Sequence, residues 1–159
     1  MFGVSEKMQN LTILNSKQTK LIRKALEEQF GIEEKLNYVF MLSTKKKVYV
    51  INRDVDKIDL TQLRIDVLGL YFGTMMNDGI RLSIEGSQIV GPIAKKGVFE
   101  LNYEQFELWL TGEDFSVESD LTGLVIIKHE NDYIGCGIIK EGTLLNHVSK
   151  SRRLIVINN

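Results

Sequence analysis

The fold of this chain is decided by the stretch Gly123-Leu-Val-Ile-Ile-Lys-His-Glu-Asn-Asp-Tyr-Ile-Gly-Cys-Gly137. An apolar run enters a polar turn at Asn131-Asp132 and a second run leaves it, which predicts an antiparallel hairpin. A basic segment follows, with Lys150, Arg152 and Arg153 at the start of a last apolar run. This pattern is typical of a small β-barrel with one positively charged rim, and it favours RNA binding over catalysis.

Short strands and tight turns dominate the sequence around this hairpin. A helix is predicted to begin at Asn102, with Gln105 as its capping-box partner, and to end before Gly112. Several short strands with one early helix indicate a compact, strongly bent barrel with one covering helix. The predicted strands are Gly97–Leu101, Leu124–His129, Tyr133–Ile139, Thr143–Leu145 and Leu154–Ile157.

The N-terminal half reads as an α+β unit. Asn15 and Gln18 form the same capping pattern at the start of a helix that Gly31 can end. Two pairs of predicted strands follow. A lysine-rich turn joins the first pair, and the Asn77-Asp78-Gly79 turn signal lies between the strands of the second pair. These strands are Tyr38–Ser43, Val48–Ile51, Ile65–Phe72 and Ile80–Ile84.

A candidate domain boundary lies at Pro92, the only proline in the chain. It follows Gly86-Ser-Gln-Ile-Val-Gly91, and no low-complexity linker separates the two halves. We therefore predict an α+β domain over residues 1–90 and a β-barrel domain over residues 91–159, packed directly against each other.

Composition narrows the function classes. The chain has 159 residues, 20 basic and 21 acidic, so no whole-molecule field attracts a polyanion and any nucleic-acid role must rest on local patches. One cysteine and two histidines argue against a disulfide framework and against a structural zinc site. The sequence shows no signal-peptide pattern and no apolar run of about 20 residues. We expect a cytoplasmic protein with no membrane partner and no cofactor.

Catalytic patterns are equally scarce. Neither metal-binding spacings nor nucleotide-binding glycine motifs occur, and the one tempting pair is His129 with Cys136. With a two-residue Asn131-Asp132 loop, Ile127 faces Cys136 and the pair is diagonal, with Cα atoms roughly 7–8 Å apart. That separation is too long for an activated thiolate. We expect no enzyme.

Several features allow both a structural and an RNA-binding interpretation. Gly135 and Gly137 suit a sharp barrel bend or a close backbone approach. Trp109 suits core packing or base stacking. Lys128 and Lys140 lie on neighbouring predicted strands and extend the basic segment, whereas seven acids crowd residues 100–120. The first helix carries a basic stripe that is either a solvated face or an RNA contact, formed by Lys17, Lys20, Arg23 and Lys24.

The segment Gly91–Ile157 resembles the PUA domain, the RNA-binding barrel of pseudouridine synthases and archaeosine transglycosylases. The resemblance rests on Trp109-Leu-Thr-Gly112, on Leu124–Ile127 and on Tyr133-Ile-Gly-Cys-Gly137. Upstream residues look like a pre-PUA unit, so the whole chain resembles an archaeal-type pre-PUA plus PUA protein. Leu145-Asn-His-Val-Ser-Lys-Ser-Arg-Arg153 is similar to the C-terminal region of Nol1/Nop2/Sun-type RNA cytosine-5 methyltransferases, although no methyltransferase domain accompanies it.

The resemblance implies RNA binding. The function that we expect is that of a non-enzymatic protein that recognises structured tRNA or rRNA in RNA modification, ribosome assembly or translation. An RNA-modifying enzyme or a ribosomal assembly factor is the candidate protein partner. The alternative is a protein-interaction adaptor, in which the pre-PUA unit docks a partner and RNA affinity is weak. The RNA-binding positions that the PUA resemblance implies are Lys95, Lys96, Gly97, Gly112, Glu113, Lys150, Arg152 and Arg153.

Overall fold

The computed structural model of the protein describes residues 11–52 and 69–146. Within those ranges the chain forms two five-stranded sheets and three α-helices, an α+β architecture as predicted. The strands are β1 (Thr12–Ile13), β2 (Tyr38–Leu42), β3 (Lys47–Asn52), β4 (Leu70–Met76), β5 (Gly79–Leu82), β6 (Val98–Glu100), β7 (Phe115–Ser116), β8 (Gly123–His129), β9 (Asp132–Lys140) and β10 (Thr143–Leu145). The helices are α1 (Ser16–Phe30), α2 (Ile84–Val90) and α3 (Tyr103–Leu110), and a 3-10 turn spans Gly91–Ile93.

Helix α1 begins and ends where the sequence predicts. The Asn15 side chain accepts a hydrogen bond from the backbone N–H of Gln18, and the Gln18 side chain accepts one from the N–H of Asn15. At the other end Gly31 adopts φ +65°, a left-handed conformation that glycine reaches without strain. The apolar stripe of α1 is buried at Ile22, Leu26 and Phe30.

The first sheet has the order β1-β2-β3-β4-β5 and is antiparallel throughout. The predicted β2–β3 hairpin is confirmed, with Lys46 at φ +65° in its turn. The next predicted strand, Ile65–Phe72, begins among residues outside the described ranges. Its described counterpart β4 continues to Met76, directly before the predicted turn.

One helix was not predicted. The sequence prediction extends a strand from Ile80 to Ile84, but β5 ends at Leu82 and α2 begins at Ile84. The strand prediction is wrong at this end because Ser83 caps α2, its Oγ accepting a hydrogen bond from the N–H of Gly86 at 2.9 Å.

The second sheet is curled into a half-barrel with the order β6-β8-β9-β10-β7. Strand β6 pairs with β8 in parallel and the other pairs are antiparallel, while α3 covers one side through the buried Trp109. The two edge strands and the start of α3 line a common cavity of about 540 Å³. The edges therefore face each other across an opening. The predicted last strand, Leu154–Ile157, lies outside the described residues.

The predicted register of the central hairpin is wrong by one residue. The turn is Glu130-Asn131, with Glu130 at φ +54°, so that Cys136 lies opposite Ile126 rather than Ile127. A bulge near the turn accommodates Ile134 as an extra residue on β9. The next residue, Gly135, adopts φ +147°, as bulge glycines do.

The two halves share one hydrophobic core, so the predicted direct packing is observed. Ile22, Leu26 and Phe30 of α1 belong to the same buried cluster as Ile126 and Cys136 of the second sheet. Helix α2 packs on both sheets, against β4 and β9. The division into domains at residue 90 stays a prediction.

Candidate RNA-binding surface

The Lys95-Lys96-Gly97 turn leads from the 3-10 turn into β6, and its backbone is bound to the end of α1. The N–H groups of Lys95 and Lys96 both donate to the carbonyl of Phe30, at 2.8 and 3.3 Å. Gly97 has φ +72°, and a Cβ there would lie 2.6 Å from the carbonyl oxygen of Gln29. The close approach that Gly97 permits is thus an internal one, and it fixes a turn whose lysine side chains are exposed.

Lys95 already has an ionic partner. Its Nζ lies 2.5 Å from Oε2 of Glu33, and both side chains are exposed. The hydrogen bond with Glu33 raises the pKa of Lys95, and the same bond lowers the pKa of Glu33. An RNA phosphate at Lys95 would compete with this carboxylate. Lys96 is exposed and forms no ion pair within the described part of the chain.

The Gly112-Glu113 turn ends α3. Gly112 adopts φ +86° and donates its N–H to the carbonyl of Trp109 at 3.1 Å, while the N–H of Glu113 reaches the carbonyl of Leu108 at 3.0 Å. The Glu113 carboxylate accepts a hydrogen bond from the Thr111 hydroxyl. The turn is therefore rigid, with an acidic side chain exposed beside it.

Two residues that sequence reasoning missed connect this turn to the end of the described chain. The buried Asn146 donates its Nδ2–H to the carbonyl of Trp109 at 2.7 Å, and its backbone N–H to the Asp114 carboxylate at 2.8 Å. Asp114 was counted only as one member of an acidic stretch. The cations Lys150, Arg152 and Arg153 follow Asn146 by four, six and seven positions and lie outside the described residues.

Lys128 and Lys140 lie on neighbouring strands, as predicted, but not side by side. Lys128 pairs with Tyr133 across the hairpin, and its Nζ lies over the Tyr133 ring at 5.4 Å from the centroid. Lys140 is seven residues further along β9, which corresponds to roughly 23 Å of extended strand. Strand β6 runs parallel to β8 and ends beside Lys128, where Glu100 is its partner.

Trp109 and the two hairpin glycines have structural roles. Trp109 is 1% exposed, which excludes it as a platform for base stacking. A Cβ on Gly137 would lie 3.1 Å from the Trp109 ring and 2.8 Å from a methyl of Leu144. The glycines let the indole and β10 approach the curled strand closely.

His129 and Cys136 do not meet. The His129 ring stacks on Phe106 with centroids 3.9 Å apart, and its Nδ1 lies 3.2 Å from the carbonyl oxygen of Leu101. Cys136 belongs to the core shared with α1, and burial raises the pKa of its thiol to about 12. Among the described residues, no three or more His, Cys, Asp or Glu side chains are grouped to hold a metal ion.

The sequence of the second half is similar to a known family of domains. A family model described as "Methyltransferase RsmF PUA domain" matches residues 96–154, which include the second sheet and α3. No curated protein matches the sequence. None of the described helices combines the length and apolarity needed to cross a membrane.

Proposed function

We propose that this chain binds structured RNA through residues 96–154, the segment that matches the model of the RsmF methyltransferase PUA domain. The match confirms the resemblance to PUA domains and to Sun/Nop2 C-terminal regions, and it is the observation that carries the proposal. The predicted positions from Lys96 to Arg153 fall within the matched range, whereas Lys95 precedes it by one residue.

The proposed RNA is a tRNA or an rRNA, and the proposed role is in RNA modification, ribosome assembly or translation. We assign the chain a binding role rather than a catalytic one, with an RNA-modifying enzyme or an assembly factor as its partner in the cytoplasm. Two observations support this assignment. The matched family is an RNA-binding module, and His129 stacks on Phe106 whereas Cys136 is buried in the core shared with α1.

Phosphate contacts provide the proposed mechanism. Helical RNA is recognised largely by its shape, phosphates and 2′-hydroxyls, so a rigid surface that carries cations suits it. Lys96 projects from a turn that two backbone hydrogen bonds hold, and Asn146 fixes the chain beside Gly112 shortly before the cations at Lys150, Arg152 and Arg153. We expect Lys95 to contribute less than Lys96, because Glu33 competes for its charge.

The test is the salt dependence of RNA binding. Each lost phosphate contact reduces the slope of log affinity against log salt by roughly 0.7–0.9. Neutralising Lys150, Arg152 and Arg153 together should therefore weaken binding of a tRNA transcript and flatten the slope by about two units. Fluorescence anisotropy at several salt concentrations measures both.

The matched control neutralises Lys45 and Lys46 at the exposed tip of the β2–β3 hairpin, outside the PUA segment. This variant should bind tRNA with the wild-type slope. If the triple variant stays folded and keeps the wild-type affinity and slope, the cations form only a solvated surface. The adaptor alternative, in which the N-terminal unit docks a partner, would then be favoured.

A further inference from the structure

A groove lies between α1 and the loop that follows it, on the N-terminal half of the molecule. Its volume is about 610 Å³, within the range of roughly 300–1,000 Å³ that is usual for binding clefts. Its apolar wall is formed by Leu21, Leu26, Ile32 and Leu36. Leu21 is 64% exposed, so a large aliphatic side chain faces solvent inside a concave surface.

The rim of this α1 groove is predominantly basic. Three carboxylates also line it, those of Glu27, Glu33 and Glu34, but Glu33 is already paired with Lys95. The local balance therefore favours an anionic ligand, in contrast to the whole chain with its net charge of −1. The cations that line the groove are Lys17, Lys20, Arg23, Lys24 and Lys35.

The stability of α1 does not explain these charges. The positive end of a helix dipole favours acids in the first turn, yet the first turn of α1 contains none and Lys17 lies there. No cation occupies the last turn, where it would be favourable. The arrangement of charges is slightly unfavourable for the helix and favourable for an anionic ligand in the groove.

Arg23 adds a donor that the described residues leave unused. Its Nε is buried and has no hydrogen-bond acceptor among them. A guanidinium group binds carboxylates in a planar, two-pronged geometry that the lysine side chains of the groove cannot provide. Leu21, two residues earlier, provides the neighbouring apolar contact.

We propose that the α1 groove binds an acidic, amphipathic segment of a partner protein. Its apolar side chains would pack on Leu21 and Leu36, and its carboxylates would face the lysines and Arg23. Protein fits better than RNA, because none of the described lining residues is aromatic and so none offers a stacking platform.

This proposal concerns a surface outside the PUA segment and does not depend on RNA binding. The probe is a synthetic helical peptide of about 15 residues, with leucines three and four positions apart and glutamates beside them. Methyl NMR spectra of the full chain should show chemical-shift changes at Leu21, Leu26, Ile32 and Leu36. A peptide with lysine in place of every glutamate should leave these signals unchanged.

Two variants separately test the apolar and the electrostatic contributions to peptide binding. Leu21→Ser removes the exposed apolar contact, and Lys20→Glu with Lys24→Glu reverses part of the rim. Each should weaken peptide binding at least about tenfold. Because Leu21 is largely exposed and the lysines are exposed, the amide spectrum should remain that of the folded protein.

Matched controls lie on the first sheet, away from the groove. Leu70→Ser changes another exposed leucine, and Lys45→Glu with Lys46→Glu reverses two exposed charges on the β2–β3 hairpin. Both controls should bind the peptide as the wild type does. The triple substitution at Lys150, Arg152 and Arg153 should also leave peptide binding intact, which separates this proposal from the RNA proposal.

Four outcomes would overturn the inference. Equal binding of the lysine peptide would remove the electrostatic argument, and absence of binding by the acidic peptide would remove the docking site. If a tRNA transcript rather than the peptide changes the chemical shifts of the methyl groups in the α1 groove, the groove binds RNA. If nuclear Overhauser effects connect Leu21 to residues 53–68 of the same chain, the occupant is internal.

Discussion

Asn146 forms hydrogen bonds with two separate parts of the curled sheet and its helix. Its side chain reaches the carbonyl of Trp109 in α3, and its backbone reaches the Asp114 carboxylate before β7. A buried amide of this kind is worth about 1–2 kcal/mol, since removing it leaves hydrogen-bonding capacity unused in the interior. It also fixes the point from which the cationic C-terminal segment continues.

We therefore predict that Asn146→Ala lowers the free energy of unfolding by about 1–2 kcal/mol. Urea unfolding followed by the fluorescence of Trp109, the only tryptophan, measures the change. Asn37→Ala, at an exposed position, is the control and should shift the stability by less than about 0.5 kcal/mol. Equal midpoints for the two variants would show that the Asn146 bond contributes nothing.

Residues whose partners are close in sequence were predictable, and the others were not. Asn102 and Gln105 satisfy each other three positions apart, so the pattern alone locates the start of α3. The partners of Asn146 are 32 and 37 positions away, and no local pattern contains them. The Glu33–Lys95 pair was missed for the same reason, at a separation of 62 positions.

At the scale of elements, α2 contains a glycine, Gly86, although glycine has a low intrinsic helix propensity. A Cβ on Gly86 would lie 2.0 Å from the carbonyl oxygen of Phe72, closer than any real contact. The helix can therefore rest directly on β4 only without a side chain at this position. Its glycines suggested a break in the chain, because their long-range reason was invisible in the sequence.

We predict that Gly86→Ala destabilises the protein by about 2–3 kcal/mol, since the new methyl group displaces α2 from β4. An ordinary helical site would instead gain up to about 1 kcal/mol from this change. Thermal and urea unfolding decide the sign. Gln88→Ala, on the exposed side of α2, should stay within about 0.5 kcal/mol of the wild type. A stabilised Gly86→Ala variant would contradict the packing.

The central hairpin shows where pattern analysis of strands stops. The apolar runs located β8 and β9 correctly, yet the turn lies one residue earlier than the Asn131-Asp132 signal indicated. Glu130 accepts the left-handed conformation, and the bulge at Ile134 restores the pairing beyond Gly135. The register therefore depends on a bulge, which the apolar pattern of the two strands does not reveal.

At the scale of the whole molecule, the two sheets are not independent. Residues from α1, β4 and β8 share one buried cluster, including Phe30, Phe72 and Ile126. Loss of packing in one half therefore removes support from the other, and the described regions should unfold in one cooperative step.

A destabilising substitution in the first sheet should shift the unfolding transition that Trp109 fluorescence reports from the second sheet. We predict that Phe72→Leu, at a fully buried position, lowers the urea midpoint of Trp109 fluorescence in parallel with that of far-UV circular dichroism. Leu70→Ala, at a site on the same strand that is 41% exposed, should lower both midpoints much less. An unshifted Trp109 transition in the Phe72 variant would mean that the halves fold separately.

The contact between α1 and the curled sheet has a practical consequence for the barrel taken alone. A fragment beginning at Gly97 would lose Phe30, whose carbonyl holds the preceding turn, and would expose Leu124 and Ile126 to water. An apolar face exposed in this way promotes aggregation. Weak RNA affinity in that fragment would reflect a damaged protein, so the barrel's own contribution must be measured with its N-terminal cover attached.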